Sequence, residues 1–280
     1  MFLGVTFIPE GPEIHLEAKK IGKVLLKSPL TGLQFTNPAL EKKSKELLNA
    51  GIQKIEPWGK AMLIYFLNGK VLFSHNQLYG KWMVFNKDHV PKTRRQVRIV
   101  LSTEKGKAIL YSATTIEILD EENYKDHAFL KKLGPDILWD STTEEVILNQ
   151  INKPEFQRRS LGHLLLAQDF FAGIGNYLRS EILFFSRLHP DVSLSKLSGA
   201  QKHDLAKAIY LLPRRSFEQR GITVSKEEAL FEKEKGVRRS HYRFYVFGRV
   251  GWACKYCKST IEKVQRSRRR LYLCNQCQKT

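Results

Sequence analysis

The chain has 280 residues, of which 42% are hydrophobic and 27% charged, a balance typical of a folded globular protein and unlike a disordered or collagen-like chain. Its 47 Lys and Arg residues exceed its 28 Asp and Glu residues, and a net charge of +19 predicts a polyanionic partner, nucleic acid before membrane. No apolar run reaches the roughly 18 residues of a membrane span, and the start lacks signal-peptide features. We therefore expect a cytoplasmic protein, associated with the nucleoid if the source is bacterial.

The N-terminal half begins with one helix and continues as short strands. Apolar residues at helical spacing predict a helix over residues 14–26. Alternating or apolar runs between turn residues then predict strands at 53–56, 62–67, 71–74, 82–85, 97–101 and 108–112. Asn68–Gly69 between two of these runs is a strong hairpin signal. Many short strands at this spacing favour a sandwich or barrel.

The pattern changes after Gly134–Pro135, where helical periodicity takes over. Helices are predicted at 142–151, 159–168, 177–185, 198–218 and 225–231. Thr142 or Thr143 is expected to cap the first of them, with two glutamates favourably placed in its first turn.

The last 49 residues carry 14 Lys and Arg against three acids and contain all four cysteines, Cys254, Cys257, Cys274 and Cys277. Two C-x2-C pairs at this separation are typical of a structural zinc site, and the metal would supply the folding energy of so small a module. Two disulfides in an oxidising compartment are the alternative. Arginines between the pairs would lie on a β-hairpin suited to phosphate contacts. By itself this module indicates only nucleic acid, and a ribosomal or transcription zinc ribbon would look alike.

Seven motifs occur together and in one order along nearly the whole chain. They are PEGPEI (9–14), GKAMLIYF (59–66), SHNQLYG (74–80), FLKKLGPD (129–136), AGIGNYLRSEIL (172–183), YRFYVFGR (242–249) and the four-cysteine finger. This set resembles the Fpg/Nei family of DNA glycosylases, and the QLY and YVFGR segments resemble its endonuclease VIII branch.

The resemblance implies an α+β multidomain fold. We expect an N-terminal antiparallel β-sandwich catalytic domain over 1–130, a helix–two-turn–helix DNA-binding domain over 131–244 and an Fpg-type zinc finger over 245–279. One structural Zn²⁺ is implied as cofactor. The implied partner is double-stranded DNA that contains oxidised bases or abasic sites, and a monomer is the default.

The implied chemistry begins at Pro9. Enzymes of this type flip the damaged nucleotide into a pocket, and an amine then attacks the sugar to form an imine. An N-terminal amine has a pKa of about 7.7–8.0, whereas that of lysine is about 10.4. A larger fraction of the N-terminal amine is therefore neutral at physiological pH. By the family pattern Pro9 is this nucleophile and Glu10 protonates the sugar ring oxygen. Glu13, one helical turn on, is expected to hold the first turn or orient the site.

Two basic residues complete the implied catalytic set. Lys60 matches the family lysine that donates a proton for β-elimination, with a simple phosphate clamp as the alternative. Arg269 matches the finger arginine assigned to δ-elimination and to holding the lesion phosphate. Because Arg268 and Arg270 flank it, the register rests on the spacing to Cys274.

The remaining implied residues contact DNA. Gln77, Leu78 and Tyr79 match the residues that fill the space left by the flipped nucleotide, with core packing at a strand end as the alternative. Asn176 follows two glycines at a helix start, where backbone amides and its side chain can bind phosphate. Lys132 stands where endonuclease VIII proteins usually carry an arginine, and a lysine lacks the bidentate fork.

The sequence departs from the family pattern at its start, because eight residues precede Pro9 and make its nitrogen an amide. Translation could begin at position 8, proteolysis could remove the extension, or the protein could bind lesions without catalysis. The leading hypothesis is a bifunctional glycosylase and abasic-site lyase that removes oxidised bases, with pyrimidines favoured, and cleaves by β,δ-elimination. A non-catalytic binder of damaged or abasic DNA is the alternative, and a zinc-ribbon RNA-binding protein is a weaker third.

Overall fold

A computed structural model describes residues 9–77, 79–86 and 93–279. The contacts divide the chain into two compact units: Ile14–Lys132, and residues 9–13 together with the chain from Leu133 onward. Among the described residues, no helix combines the length and apolar character that crossing a bilayer requires.

The unit Ile14–Lys132 is a β-sandwich. Its helices are α1 (Gly11–Leu25), α2 (Pro38–Glu41) and α3 (Ser44–Ala50), and its strands are β1 (Leu30–Phe35), β2 (Ile52–Trp58), β3 (Ala61–Phe66), β4 (Lys70–His75), β5 (Lys81–Phe85), β6 (Val97–Thr103), β7 (Gly106–Tyr111) and β8 (Thr115–Asp120). The strands pair in the orders β1-β6-β7-β5 and β2-β3-β4-β8, and every pair is antiparallel. Inward side chains of both sheets share one hydrophobic core with α1, which confirms the predicted sandwich.

Each strand predicted in this unit is present, and Asn68–Gly69 lies in the turn that joins β3 to β4. The prediction missed β1, β8, α2 and α3. β8 is an edge strand of sequence TIEILD, and no residue in it is fully buried. A short strand with such weak apolar alternation gives little signal, because its place in the sheet depends on pairing with β4.

The second unit is mainly helical. It contains α4 (Glu144–Asn152), α5 (Leu161–Leu164), α6 (Asn176–Phe185), α7 (Gly199–Glu218), α8 (Lys226–Glu234) and α9 (Arg239–Tyr242), followed by a hairpin of β9 (Glu262–Arg266) and β10 (Arg269–Leu273). The side chain of Thr143 caps α4, and capping boxes begin α7 and α8. One core runs from Ile137 through the helices to the hairpin and Cys274.

The helix predicted over 159–168 is wrong in length, since only Leu161–Leu164 is α-helical. After Leu165 the backbone bonds become i→i−3, from Leu166 N–H to His163 O at 3.1 Å and from Ala167 N–H to Leu164 O at 3.0 Å, so the helix does not continue. The Gln168 side chain donates to the carbonyls of Leu166 and Ile174 and stabilises a turn instead. The division into three domains stays a prediction.

Candidate active site

The centre of the site in the helical unit is the buried carboxylate of Glu10, which is 3% exposed. The backbone N–H of Tyr177 donates to its Oε1 at 2.7 Å, and those of Gly175 and Leu178 donate to its Oε2 at 2.8 and 3.2 Å. These amides form the N-terminus of α6, where unpaired donors and the helix dipole favour an anion. Both oxygens therefore accept, and the group next to Pro9 is held in one orientation.

Glycines bring the two segments together. Gly11 N–H donates to Gly173 O at 2.8 Å, and a Cβ on Gly11 would lie 3.1 Å from the Gly173 Cα. A Cβ on Gly175 would lie 2.3 Å from the Glu10 Cδ, so any larger residue there would force the Glu10 side chain to shift. Gly11 and Gly173 thus allow the two backbones to approach closely, and Gly175 leaves room for the Glu10 carboxylate.

Glu13 holds the start of α1 from the opposite side. Its Oε2 accepts from the Glu10 N–H at 3.0 Å, and the Tyr177 hydroxyl lies 3.3 Å from both of its oxygens. Burial raises the pKa of Glu13 to about 7, although these donors and the charge of Arg243 oppose the shift. The peptide that joins Pro9 to Glu10 is therefore held by a carboxyl group that titrates near neutrality.

A fully buried arginine, Arg179, connects α6 to the hairpin. Its guanidinium donates to Asn176 Oδ1 at 2.7 Å, to Gly162 O at 2.8 Å and to Arg270 O at 3.1 Å. Burial, with a smaller contribution from the charge of Arg269, lowers the pKa of Arg179 to about 10, and Glu10 opposes this shift. Arg179 thus lies within electrostatic reach of both Glu10 and Arg269.

This arrangement revises the expectation that the α6 amides bind phosphate. The N–H groups of Gly175, Tyr177 and Leu178 already donate to Glu10. The Asn176 side chain accepts from Arg179 through Oδ1, which directs its Nδ2 donors away from the guanidinium. Asn176 itself stays a predicted phosphate ligand.

The hairpin register distinguishes the three neighbouring arginines. Arg268 lies in the turn, with φ of 58°, and Arg269 opens β10 opposite Arg266. Because strand side chains alternate, Arg269 shares a face with the buried Leu271, whereas Arg270 points to the other face. Arg270 shares that other face with Tyr272, which is also buried, so burial does not separate Arg269 from Arg270, and the role of Arg269 stays a prediction.

The four cysteines converge at the base of the hairpin. All four Sγ atoms lie within 4.8 Å of one another, with Cys254 and Cys277 at 3.8 Å and Cys257 and Cys274 at 3.4 Å. No disulfide joins these four thiols. Tetrahedral thiolates at about 2.3 Å from Zn²⁺ lie about 3.8 Å apart, so the cluster has the dimensions of a four-thiolate metal site.

In the β-sandwich unit, Lys60 lies in the turn between β2 and β3, and the adjacent Ala61 pairs with His75 at the end of β4. Burial and, to a lesser extent, the charge of Lys60 lower the pKa of His75 to about 4. His75 is consequently neutral at physiological pH, and its Nδ1 accepts from the Gln77 N–H at 3.2 Å. Lys60 and Gln77 therefore occupy the same end of this sheet.

Gln77 and Tyr79 are both exposed, Tyr79 by 73%, which excludes core packing for these two residues. The Gln77 amide donates to Thr115 Oγ1 at 2.9 Å, and Arg95 donates to the Tyr79 carbonyl at 2.7 Å. Leu78 lies outside the described residues.

Lys132 ends a short 3₁₀ helix, Leu130–Lys132, and is exposed. Phe129, just before that helix, packs on His75 with ring centroids 4.8 Å apart. This contact ties the FLKKL segment to the end of β4, and the role of Lys132 stays a prediction.

The sequence reasoning missed Arg179, His75, Thr115 and Arg95. Only Arg179 offered a signal, because a charged residue in the apolar stretch of α6 must find partners when it is buried. Thr115, Arg95 and the packing of His75 on Phe129 depend on contacts between separate strands and loops, which no local pattern encodes.

Comparison with known proteins agrees with this geometry. Residues 8–114 match the formamidopyrimidine-DNA glycosylase N-terminal domain, and residues 133–228 match the formamidopyrimidine-DNA glycosylase H2TH domain. Endonuclease 8 of Pectobacterium atrosepticum is 40% identical over 271 residues, and that of an Escherichia coli strain is 40% identical over the same length. Both alignments cover 97% of this chain and 100% of the relative.

Solved structures agree in fold. A Lactococcus lactis formamidopyrimidine-DNA glycosylase bound to DNA with an abasic site superposes on this chain with a TM-score of 0.78 at 21% identity. The superposition covers 97% of this chain and 100% of the Lactococcus chain. The same enzyme bound to DNA with an oxidised pyrimidine gives the same score and coverage. From these matches and the Glu10 site, the chain belongs to the Fpg/Nei family of DNA glycosylases.

Proposed function

We propose that this chain is a bifunctional DNA glycosylase and abasic-site lyase of base excision repair that removes oxidised bases, with pyrimidines favoured. The observation that carries the proposal is the Glu10 carboxylate, fixed by three backbone N–H groups directly after Pro9. A proton donor or acceptor must be held in place to assist bond breaking at a sugar. The family's solved relatives bind abasic and oxidised-pyrimidine DNA, and the net charge of +19 suits the same partner.

In the proposed reaction the Pro9 nitrogen attacks the sugar carbon that bears the base. The base departs with the electrons of the glycosidic bond and takes up the proton that the Pro9 nitrogen loses. Protonated Glu10 then donates its proton to the ring oxygen as the ring C–O bond breaks and the iminium forms. The resulting secondary-amine imine is a cation that accepts electrons as the sugar loses a proton and the 3′ phosphate departs. Lys60 serves that β-elimination, and Arg269 holds the lesion phosphate through the δ-elimination that follows.

The surrounding residues supply recognition. Gln77 and Tyr79 are exposed, and we assign them, with Leu78, to the space that the flipped nucleotide leaves. Asn176 and Lys132 contact the DNA backbone in this proposal. Binding to chromosomal DNA would place the protein in the cytoplasm, at the nucleoid in a bacterium.

The proposal requires that Pro9 carry a free amine. The family domain match begins at residue 8, directly before Pro9, and the curated relatives are covered to their full length by 97% of this chain. We therefore infer that the working enzyme begins at Pro9.

The test compares two forms of the chain: one produced from a start codon at position 8, so that methionine removal exposes Pro9, and one that retains all eight leading residues. Intact mass verifies each terminus, and borohydride is added with an abasic-site duplex. We expect a covalent adduct only from the form that begins at Pro9. An adduct of equal yield from the extended form would exclude Pro9 as nucleophile, and binding without an adduct from both forms would favour the non-catalytic binder.

We propose Zn²⁺ as the ion held by Cys254, Cys257, Cys274 and Cys277, because four clustered thiols at these separations suit a closed tetrahedral site. The ion would stabilise the hairpin and take no part in bond breaking. Chelation is expected to release one Zn²⁺ per chain, to unfold the region after about residue 245 and to weaken DNA binding. A hairpin that stays folded with bound metal removed would contradict this assignment.

A further inference from the structure

A bidentate ion pair fixes the finger hairpin to the loop after α6. Arg266 donates from Nε to Asp191 Oδ1 at 2.6 Å and from Nη2 to Asp191 Oδ2 at 2.7 Å. Each partner shifts the other toward its charged form, raising the pKa of Arg266 and lowering that of Asp191. Two parallel hydrogen bonds define the direction of the guanidinium as well as its position. The pair therefore fixes the orientation of the end of β9.

The adjoining turn is strained and has its own contact. Ser267 and Arg268 have φ of 53° and 58°, left-handed values that are costly for residues with a Cβ. A two-residue turn with both values positive matches the twist of a hairpin, and glycine or asparagine is the usual choice there. The Ser267 hydroxyl lies 3.0 Å from His163 Nδ1. Contacts outside the hairpin therefore support this turn.

Arg266, which Asp191 anchors, lies directly opposite Arg269 in the hairpin. Arg266 and Arg269 are cross-strand partners on either side of the turn, and their side chains lie on the same face of the hairpin. Two like charges opposite one another repel unless one is neutralised. Asp191 neutralises Arg266 and draws it toward the 189–191 loop, which leaves Arg269 free to meet a phosphate.

We propose that Asp191 is a positioning residue for strand cleavage: through Arg266 it sets the direction of Arg269 and so governs the δ-elimination step. The proposal rests on the function proposed above and adds Asp191 and Arg266, which touch no reacting atom, to its machinery. A second consequence is that base removal and β-elimination depend much less on this pair, since both take place at Pro9, Glu10 and Lys60.

The experiment measures product ends on a duplex with one abasic site, where a 3′-phosphate reports δ-elimination and a 3′-unsaturated aldehyde reports β-elimination alone. Asp191→Asn is expected to lower the ratio of δ to β product about threefold to tenfold, while borohydride trapping stays within about twofold of the native protein. Asp120→Asn is the matched control, because Asp120 pairs with Lys70 at 2.5 Å in the β-sandwich unit. It should leave the ratio unchanged.

Exchanging the charges of Asp191 and Arg266 distinguishes a loss of Arg269 orientation from a loss of folding. Asp191→Arg and Arg266→Asp should each lower the ratio, and the double variant should recover at least half of the native ratio. An unchanged ratio in Asp191→Asn, or a double variant no better than either single one, would overturn the inference. Absence of any trapped adduct from native protein that begins at Pro9 would instead overturn the proposed function.

Discussion

Two buried glutamates in the helical unit have nearly the same surroundings, but only one of them, Glu10, has a proposed role in the reaction. Glu10 accepts from the backbone N–H groups of residues 175, 177 and 178. Glu181 accepts from those of residues 245, 246 and 247, and also from the Thr223 hydroxyl at 2.6 Å. The two side chains are 3% and 0% exposed.

The difference lies in what each carboxylate adjoins. Glu181 projects from the middle of α6 into a loop of the same core, and burial raises its pKa against the donors that surround it. Glu10 precedes α1 and follows the half-buried Pro9. A set of three backbone donors therefore does not distinguish a reactive carboxylate from a structural one. In the proposed reaction, the distinction comes from Pro9, the proposed nucleophile directly before Glu10.

The largest expected effect comes from replacing the Glu10 carboxylate by an amide. Glu10→Gln should lower base excision by about 10²–10⁴-fold, because the amide cannot donate the proton that ring opening needs. Affinity for lesion-bearing duplex should stay within about threefold. Single-turnover excision and equilibrium DNA binding measure the two quantities, and an equal loss of both would count against Glu10 as the acid.

A second test moves Glu10 without changing it. Gly175→Ala places a Cβ 2.3 Å from the Glu10 Cδ, so the carboxylate must shift. A displacement of about 1 Å can cost about 10²-fold in rate, and we expect a loss of that order in single-turnover excision. Gly199→Ala is the control, because nothing lies within 4 Å of its added Cβ. Native activity in Gly175→Ala would show that the orientation of Glu10 is unimportant.

The matched variant at the second buried glutamate is Glu181→Gln. The amide nitrogen would face buried N–H donors, and an unsatisfied buried donor costs about 1–3 kcal/mol. Urea unfolding should show a loss of stability of that size, while excision per folded molecule stays at the native rate. A selective loss of excision with unchanged stability would mean that Glu181 takes part in the reaction.

The last prediction concerns the pH dependence of stability that Glu13 confers. Its pKa is about 7 in the folded chain against an ordinary 4.5, so the folded state binds more protons between these values. Stability from this group is present below pH 4.5 and is lost as pH rises through 7. The difference in thermal midpoint between the native protein and Glu13→Gln should change across that window and be constant above it. A constant difference from pH 4 to 8 would contradict the raised pKa.

Features set by neighbours in sequence were predictable. The hairpin at Asn68–Gly69, the Thr143 cap and the grouping of four cysteines follow from turn chemistry, capping and ligand spacing, which act over a few residues. Family resemblance predicted the roles of Glu10 and Arg269 but not the contacts that hold the Glu10 carboxylate. The phosphate role expected of the α6 amides was wrong for three of them, because Glu10 occupies those donors.

The sequence by itself determined the periodicities, the excess of basic charge and the residue types of the proposed site, since each depends on local geometry or on net charge. Only the tertiary structure decided which groups meet. Glu10 lies 165 residues from Gly175, and Arg179 lies 91 from Arg270. Contacts at such separations form only when the core packs, because burial of the apolar faces offsets the loss of chain entropy.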